Sequence, residues 1–330
     1  MKVLICSALS CLPVVMAWPL LTHTQTAPYP SKLVRMVTGS LAGGGTDITA
    51  RQIAPKLSEI LGQQVLVDNR PGLAGMLANE LVAKAAPDGY TLLLQPGGFI
   101  TLSAQLNARG GTWETLKHLA PVIQVSSYSF VVAAHPSVPA RNIRELIAVA
   151  KSNNFKSRSL TFVSSGVGSN FHLMGELFKL RTGVDMWHVP YKGSPPAIVD
   201  LLAGRGELMF IHVPPVLPYI RNGRLRALAV TGATRNPLLP DVARVQDTIP
   251  GFEVIGSEGV LAPMGLAREI TQRVNMEITQ VLNTPELKAA WADRAVEFLP
   301  NTAEQYGAKI RDEFEKTSQV IKQAGIRADM

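Results

Sequence analysis

The chain is nearly free of cysteine: two occur in 330 residues, Cys6 and Cys11, both among the first eleven. A disulfide framework and a cysteine-based metal site are thereby excluded from the rest of the sequence. Charge is scarce as well, at 17% against 46% hydrophobic residues, which is the balance of a folded globular protein and not of a disordered one. Lys and Arg exceed Asp and Glu by 32 to 25, yet no stretch gathers five or six basic residues, so no nucleic-acid partner is indicated. The phosphate-loop pattern G-x-x-x-x-G-K-[ST], the dinucleotide pattern G-x-G-x-x-G and the zinc pair H-E-x-x-H are all missing. Beyond the N-terminus no apolar run approaches the roughly 18 residues of a membrane span. At roughly 150 residues per domain, the length favours two domains over one.

What is present begins with a leader. Lys2 precedes an apolar run from Val3 to Val15, followed by Met16-Ala17, which reads as the charged, hydrophobic and small-residue regions of a cleaved secretory signal. Pro13 and Pro19 interrupt the run. Val15-Met16-Ala17 offers one cleavage site and Ala27 a second, so residues 1–27 read as signal peptide and leader. Cys11 raises the alternative of a lipidated N-terminus, to which Ala8-Leu9-Ser10 is a poor match. The processed chain is expected to be soluble and outside the cytoplasm.

Past the leader, short β-rich runs alternate with helical patterns. Strands are expected over 32–38, 64–68 and 90–95, with helices over 46–61 and 75–86 between them. Thr46 or Asp47 would cap the first helix, Gly62 would end it, and Pro55 would kink it or remove one hydrogen bond. This β-α-β-α-β series predicts a parallel sheet. After strand-like stretches around 121–134 a second series follows, with helices over 142–151, 170–181, 197–203 and 216–222. Its strands fall over 160–164, 185–189, 207–211 and 225–231. From about Ala267 the pattern is helical only, over 268–282, 285–294 and 302–324, so this tail must pack on one of the two sheets.

Two glycine-rich loops lie between a strand and a helix. In Ala42-Gly43-Gly44-Gly45-Thr46-Asp47 the backbone N–H groups at the helix start are unpaired, and together with the helix dipole they favour an anion. The plainer reading is a tight turn with a capping residue. Ser164-Ser165-Gly166-Val167-Gly168-Ser169-Asn170 repeats the arrangement in the second series. Ligands of open α/β sheets bind beyond the carboxyl ends of the strands, so the two loops can face each other across a cleft, with hydroxyls of Thr46, Ser165 and Ser169 as further partners. Asp47 reads either as a cap or as a direct ligand contact. Trp187 reads as core, and Tyr191 is placed to reach the cleft.

Further motifs occur in order: Tyr29-Pro30-Ser31-Lys32, Asn69-Arg70-Pro71-Gly72, Ala85-Ala86-Pro87-Asp88-Gly89-Tyr90, Val189-Pro190-Tyr191-Lys192-Gly193, Gly223-Arg224-Leu225-Arg226-Ala227-Leu228, Leu239-Pro240-Asp241-Val242 and Pro250-Gly251-Phe252-Glu253. With the first glycine loop they resemble the substrate-binding receptors of tripartite tricarboxylate transporters, the Bug family, over about residues 29 to 326. The resemblance implies an α/β fold of the type II periplasmic binding protein, a two-lobe Venus flytrap with a C-terminal helical tail on the first lobe. Lobe 1 would comprise 28–127 plus 256–330 and lobe 2 would comprise 128–255, with chain crossings near 125–131 and 253–261. It further implies a periplasmic monomer, without cofactor or metal, that closes on a small carboxylate and delivers it to transporter membrane subunits. A receptor feeding a signalling partner is the alternative. Carried over to this sequence, the ligand contacts are Gly43, Gly44, Gly45, Thr46 and Asp47, then Gly97, Gly98 and Thr101 of the 96–101 loop. From lobe 2 come Ser165, Gly168, Ser169, Tyr191 and Gly193. Three departures stand out: Ile211 where many members have Asp, Ser257-Glu258-Gly259 where an aromatic is expected, and Gln95-Pro96-Gly97-Gly98-Phe99 without the usual Ser and His. Lacking a carboxylate at Ile211, the chain is expected to bind amino acids more weakly than acids without an amine.

A secreted hydrolase is the enzymatic alternative, drawn from Ser165 or Ser169 with His172 and Asp185 or Asp200. The sequence lacks the G-x-S-x-G elbow that such a nucleophile needs, and His172 reads more simply as a first-turn helix residue. No catalytic residue is therefore assigned.

Overall fold

The structure, a computed structural model, describes residues 29–72, 75–106, 117–152 and 159–326. The leader expected over 1–27 lies outside them. Strands β1 (Val34–Thr38), β2 (Val65–Asn69) and β3 (Thr91–Pro96) are joined by helices α1 (Gly45–Leu61) and α2 (Met76–Ala83). They run parallel in the order β2-β1-β3, as the alternating series predicts. Helix α1 passes unbroken through Pro55 and ends on Gly62 in the left-handed conformation.

A 16-residue strand, β4 (Leu119–Ala134), then leaves this sheet and enters a second one. Up to Ser129 it pairs with β9 (Ile255–Pro263); from Phe130 onward it pairs with β7 (Leu208–His212) and β8 (Arg226–Val230). At roughly 3.3 Å per residue such a strand is about 50 Å long, enough to serve both lobes. Between β4 and β8 run α4 (Ile143–Lys151), β5 (Leu160–Ser164), α5 (Asn170–Thr182), β6 (Met186–Pro190), α6 (Ser194–Leu202), β7 and α7 (Val213–Arg221). The second sheet reads β8-β4-β7-β5-β6, with β5 parallel to both β6 and β7. Flanked on both edges and covered on both faces, β7 consists of an unbroken apolar Leu-Met-Phe-Ile run. Around it Phe130, Phe162, Phe178, Phe210 and Phe252 are all at most 1% exposed, each worth roughly 1.5–3 kcal/mol of burial.

The tail forms α8 (Arg268–Leu282), α9 (Pro285–Ala292) and α10 (Ala303–Ala324), close to the expected bounds. Helix α8 packs on α1 and β4 of the first lobe; α10 packs on β4 and on α3 (Gly97–Leu106) and extends across to α5 of the second. Three expectations are corrected. Trp187, read as core, stands 68% exposed on β6. The 96–101 segment is not a loop, because Gly97 already opens α3 (Gly97–Leu106) directly after β3. Residues 255–263, read only as a crossing, form β9, which lies between β3 and β4 and is antiparallel to both.

Candidate functional site

Among the helices that follow the carboxyl ends of sheet strands, four bear on the cleft: α1 after β1, α3 after β3, α5 after β5 and α7 after β7. Those of one lobe face those of the other. The start of α1 and the start of α7 line one cleft, contributing Gly45 and Thr49 on one side and His212 and Pro214 on the other. A Cβ on Gly98, in the first turn of α3, would meet the side chain of Asn170 at the start of α5. The floor is made by the crossing strands, through Tyr128 and Ser129 of β4 and Glu258 of β9, and Arg294 and Val296 close one side.

At α1 the cap is Gly44 and no side chain caps the helix, so Thr46 and Asp47 are its second and third residues and not its N-cap. Gly44 turns tightly, its N–H donating to Leu41 O at 2.9 Å, and a Cβ there would collide with Ser40. The N–H of Gly43 donates to Asp47 Oδ2 at 2.8 Å. Asp47 also accepts from Arg51 and Asn69. Burial pushes its carboxyl pKa up, but these hydrogen bonds prevail and hold it below the usual range. Asp47 is therefore a brace for the loop. The N–H groups of Gly45, Thr46 and Asp47 have no acceptor among the described residues, and Gly45 has open space where a side chain would stand. The Thr46 hydroxyl does not point to a free site: it donates to Glu258 Oε1 at 2.7 Å, while Thr49 and Ser126 donate to Oε2 at 2.8 and 3.1 Å. Glu258, 6% exposed, thus brings a carboxylate of the chain itself to the N-terminus of α1.

The start of α3 is built similarly. A Cβ at Gly97 would come within 2.6 Å of both Glu313 Oε2 and Ser257 Oγ. Ser257 donates to Glu313 Oε1 at 3.2 Å, and burial raises the Glu313 pKa to about 7, with Lys309 opposing. Thr101 bonds back to Gly97 O at 3.1 Å. Burial, followed by Glu258 and Glu313, holds the Tyr128 hydroxyl well above its ordinary range.

In the second lobe Ser169 caps α5, accepting from His172 N–H at 3.3 Å and donating to Gly166 O at 2.8 Å. Tyr191 turns its hydroxyl to Asp200 instead of the cleft. Its N–H and that of Gly193 donate to Ser164 O and Ser165 O, which ties the two loops together. Gly168, at φ 74°, donates its N–H to His172 Nδ1 at 3.1 Å. Ile211 is 1% exposed and belongs to the core, while its neighbour His212 lines the cleft among Tyr128, Phe130 and Phe171. Burial, followed by the charge of Arg294, lowers the His212 pKa to about 4. Sequence reasoning noted Glu258 only as a departure and missed Glu313, His212 and Arg294, none of which sits in a local motif.

The hydrolase constellation is not assembled. His172 Nδ1 is bound to a backbone N–H, Asp185 accepts from Ser159, and Asp200 is bonded to Tyr191 and Arg205. A serine–histidine contact does exist, Ser164 Oγ to His188 Nε2 at 2.6 Å, but His188 is stacked on His172 at 3.8 Å and no carboxylate bonds to it among the described residues. Burial, with His172 next, lowers its pKa to about 3. Among the described residues no cluster of three or more His, Cys, Asp or Glu could hold a metal, and no helix is long and apolar enough to cross a membrane.

Residues 49–326 match the model of the tripartite tricarboxylate transporter family receptor. BugT of Bordetella pertussis (strain Tohama I) is 33% identical over 301 residues, 91% of this chain and 91% of that protein. Among solved structures, R. palustris Rpa4515 with adipate superposes with a TM-score of 0.79 at 32% identity, over 91% of this chain and 99% of that one. MatC from Rhodopseudomonas palustris with bound malate gives 0.76 at 25% identity, over 89% and 100%.

Proposed function

Because the chain belongs to the tripartite tricarboxylate transporter receptor family, a family of periplasmic solute-binding receptors and not of enzymes, we propose that it captures a small carboxylate between its lobes and delivers it to the membrane subunits of such a transporter. The observation that carries this reading is the set of N–H groups of Gly45, Thr46 and Asp47 without an acceptor among the described residues, at the start of α1, whose Gly45 lines the interlobe cleft opposite α7. Amides fixed at a helix N-terminus bind a carboxylate without chemical activation. The carboxylates bound by Rpa4515 and MatC support the ligand class. Gly97, Gly98 and Thr101 of α3 and Ser165, Gly168 and Gly193 of the second lobe would complete the enclosure. Acids without an amine are the expected ligands: Ile211 offers no carboxylate to an ammonium, and Glu258 is already engaged by three hydroxyls.

The receptor is further proposed to be a monomer exported with loss of its first 17 or 27 residues, with lobes dividing at 127/128 and 255/256. Intact mass of periplasmic material checks the processing; retention of Met1 would contradict it. A thermal-shift screen of small carboxylates tests the binding. A ligand at 100 times its Kd adds about 2.7 kcal/mol of stability, and a screen in which adipate, malate and their relatives all leave the melting temperature unchanged would refute the reading.

A further inference from the structure

We propose that Arg294 is a ligand-binding residue of the cleft, its guanidinium supplying the positive charge that seats the acid's carboxylate against the N-terminus of α1. The inference rests on the carboxylate reading above and assigns it a residue.

Arg294 follows α9 and lines the cleft together with Gly45, Tyr128, Ser129, His212 and Glu258. It is half-buried, and its side chain has no hydrogen-bond acceptor or ion-pair partner among the described residues. Its charge is felt inside the cleft, where it acts on both His212 and Tyr128.

The backbone around it is fixed on three sides. The N–H groups of Arg294 and Val296 both donate to Trp291 O at 3.0 Å. Glu297 forms an antiparallel bridge with Ser127 of the crossing strand through two bonds of 2.8 Å. The Trp291 indole N–H donates to Gln52 of α1 at 2.8 Å. Ala295 between them has φ 49°, a conformation that a residue with a side chain adopts only when its surroundings impose it. The left-handed backbone thus falls on the residue directly after Arg294, which lines the cleft.

A partly desolvated cation without an acceptor is unfavourable, and so are helix-terminal N–H groups without one. An anion placed between them satisfies both. Glu258 sharpens the argument. Its carboxyl oxygens are met by the hydroxyls of Thr46, Thr49 and Ser126, and its negative charge opposes an anionic ligand in the same cleft. Among the residues lining the cleft, Arg294 is the Lys or Arg that offsets it.

The two charges should therefore have opposite effects on binding, measured by calorimetry on the processed chain with malate and adipate as probes. Arg294→Gln should weaken binding by about 10- to 100-fold, the value of a hydrogen bond to a charged group. Arg294→Lys keeps the charge and should recover part of the loss. Glu258→Gln should tighten binding severalfold. Wild-type affinity in Arg294→Gln overturns the proposal, and so does Arg294→Lys binding no better than Arg294→Gln, which would trace the loss to packing. Unchanged or weaker binding by folded Glu258→Gln overturns it independently of how well the arginine variants fold. If the wild type binds no carboxylate, the carboxylate reading falls and this proposal with it; if the wild type binds and Arg294→Gln binds equally well, only the assignment of Arg294 falls.

Discussion

Gly98→Ala separates lobe closure from folding, because the two respond with opposite sign. Gly98 lies in the first turn of α3, and its φ is not in the left-handed region, so alanine is compatible with its backbone. In a helix, alanine is favoured over glycine by about 1 kcal/mol, which would stabilise the first lobe by itself. The added methyl would, however, stand within 2.6 Å of both Asn170 Cγ and Nδ2 in the second lobe, well inside contact distance. Overpacking of this kind costs about 1–3 kcal/mol, and here it is felt only when the lobes are together. The population able to hold ligand should then fall, weakening apparent affinity by about 5- to 150-fold, while the ligand-free melting temperature holds or rises. Calorimetry gives the first quantity and scanning calorimetry the second, and small-angle scattering should report a larger radius of gyration with ligand present than for the wild type. Asn170→Gly removes the obstructing side chain and should restore affinity in the double variant. If Gly98→Ala binds as tightly as the wild type, or if Asn170→Gly fails to rescue it, the contact between α3 and α5 does not govern closure.

Ser169→Ala should destabilise the fold by about 1 kcal/mol through loss of the α5 cap, read by urea denaturation, with ligand affinity unchanged within a factor of two; a large affinity loss in a stable variant would return Ser169 to the ligand. For pH, the folded-state pKa values of His172, at about 4, His188, at about 3, and His212, at about 4, lie below the ordinary 6.5. The unfolded chain therefore takes up their protons first, and stability falls as pH drops from about 6.5 towards 4. Glu313 acts in the other direction: its folded pKa of about 7 lies above the ordinary 4.5, so it contributes stability below 4.5 that is lost as pH rises through 7. Urea midpoints should rise between pH 4.5 and 6.5 in the wild type and rise more steeply in Glu313→Gln; identical slopes would show that Glu313 is not protonated in the fold.

The parts of the fold that depend on neighbours in sequence were readable. Apolar runs bounded by Gly and Pro gave β1 to β3 and β5 to β8 within a residue or two, and the helical pattern over 302–324 matched α10, whose start the structure closes with a capping box of Thr302 and Gln305. Strand β9 was not readable, because Gly256, Ser257, Glu258 and Gly259 look like a turn. They are held in a strand by pairing on both edges and by Glu258 meeting three hydroxyls from distant elements. The glycine loops announced helix starts, as glycine before a helix does, but not which hydroxyls the chain takes up internally. Thr46, Ser169 and Tyr191 were natural ligand candidates until Glu258, Gly166 and Asp200 were seen to occupy them. Arg294 had no signal at all, since its place follows from the bridge between Glu297 and Ser127.

The position of β9 also fixes an order of assembly. Strands β5 to β8 and the part of β4 they pair with form one uninterrupted stretch of chain, so the second sheet can close on itself as soon as that stretch is present. The first sheet cannot. Its strand β3 and the early part of β4 have no contact with each other until β9 slots between them, and β9 is separated from both by the entire second sheet. Closing a loop of that length is slow compared with the local pairings. The lobe that begins the folded chain is thus the last to be completed. A polypeptide cut short before residue 255 would carry a finished second lobe attached to an open-edged first one, a form prone to edge-to-edge association.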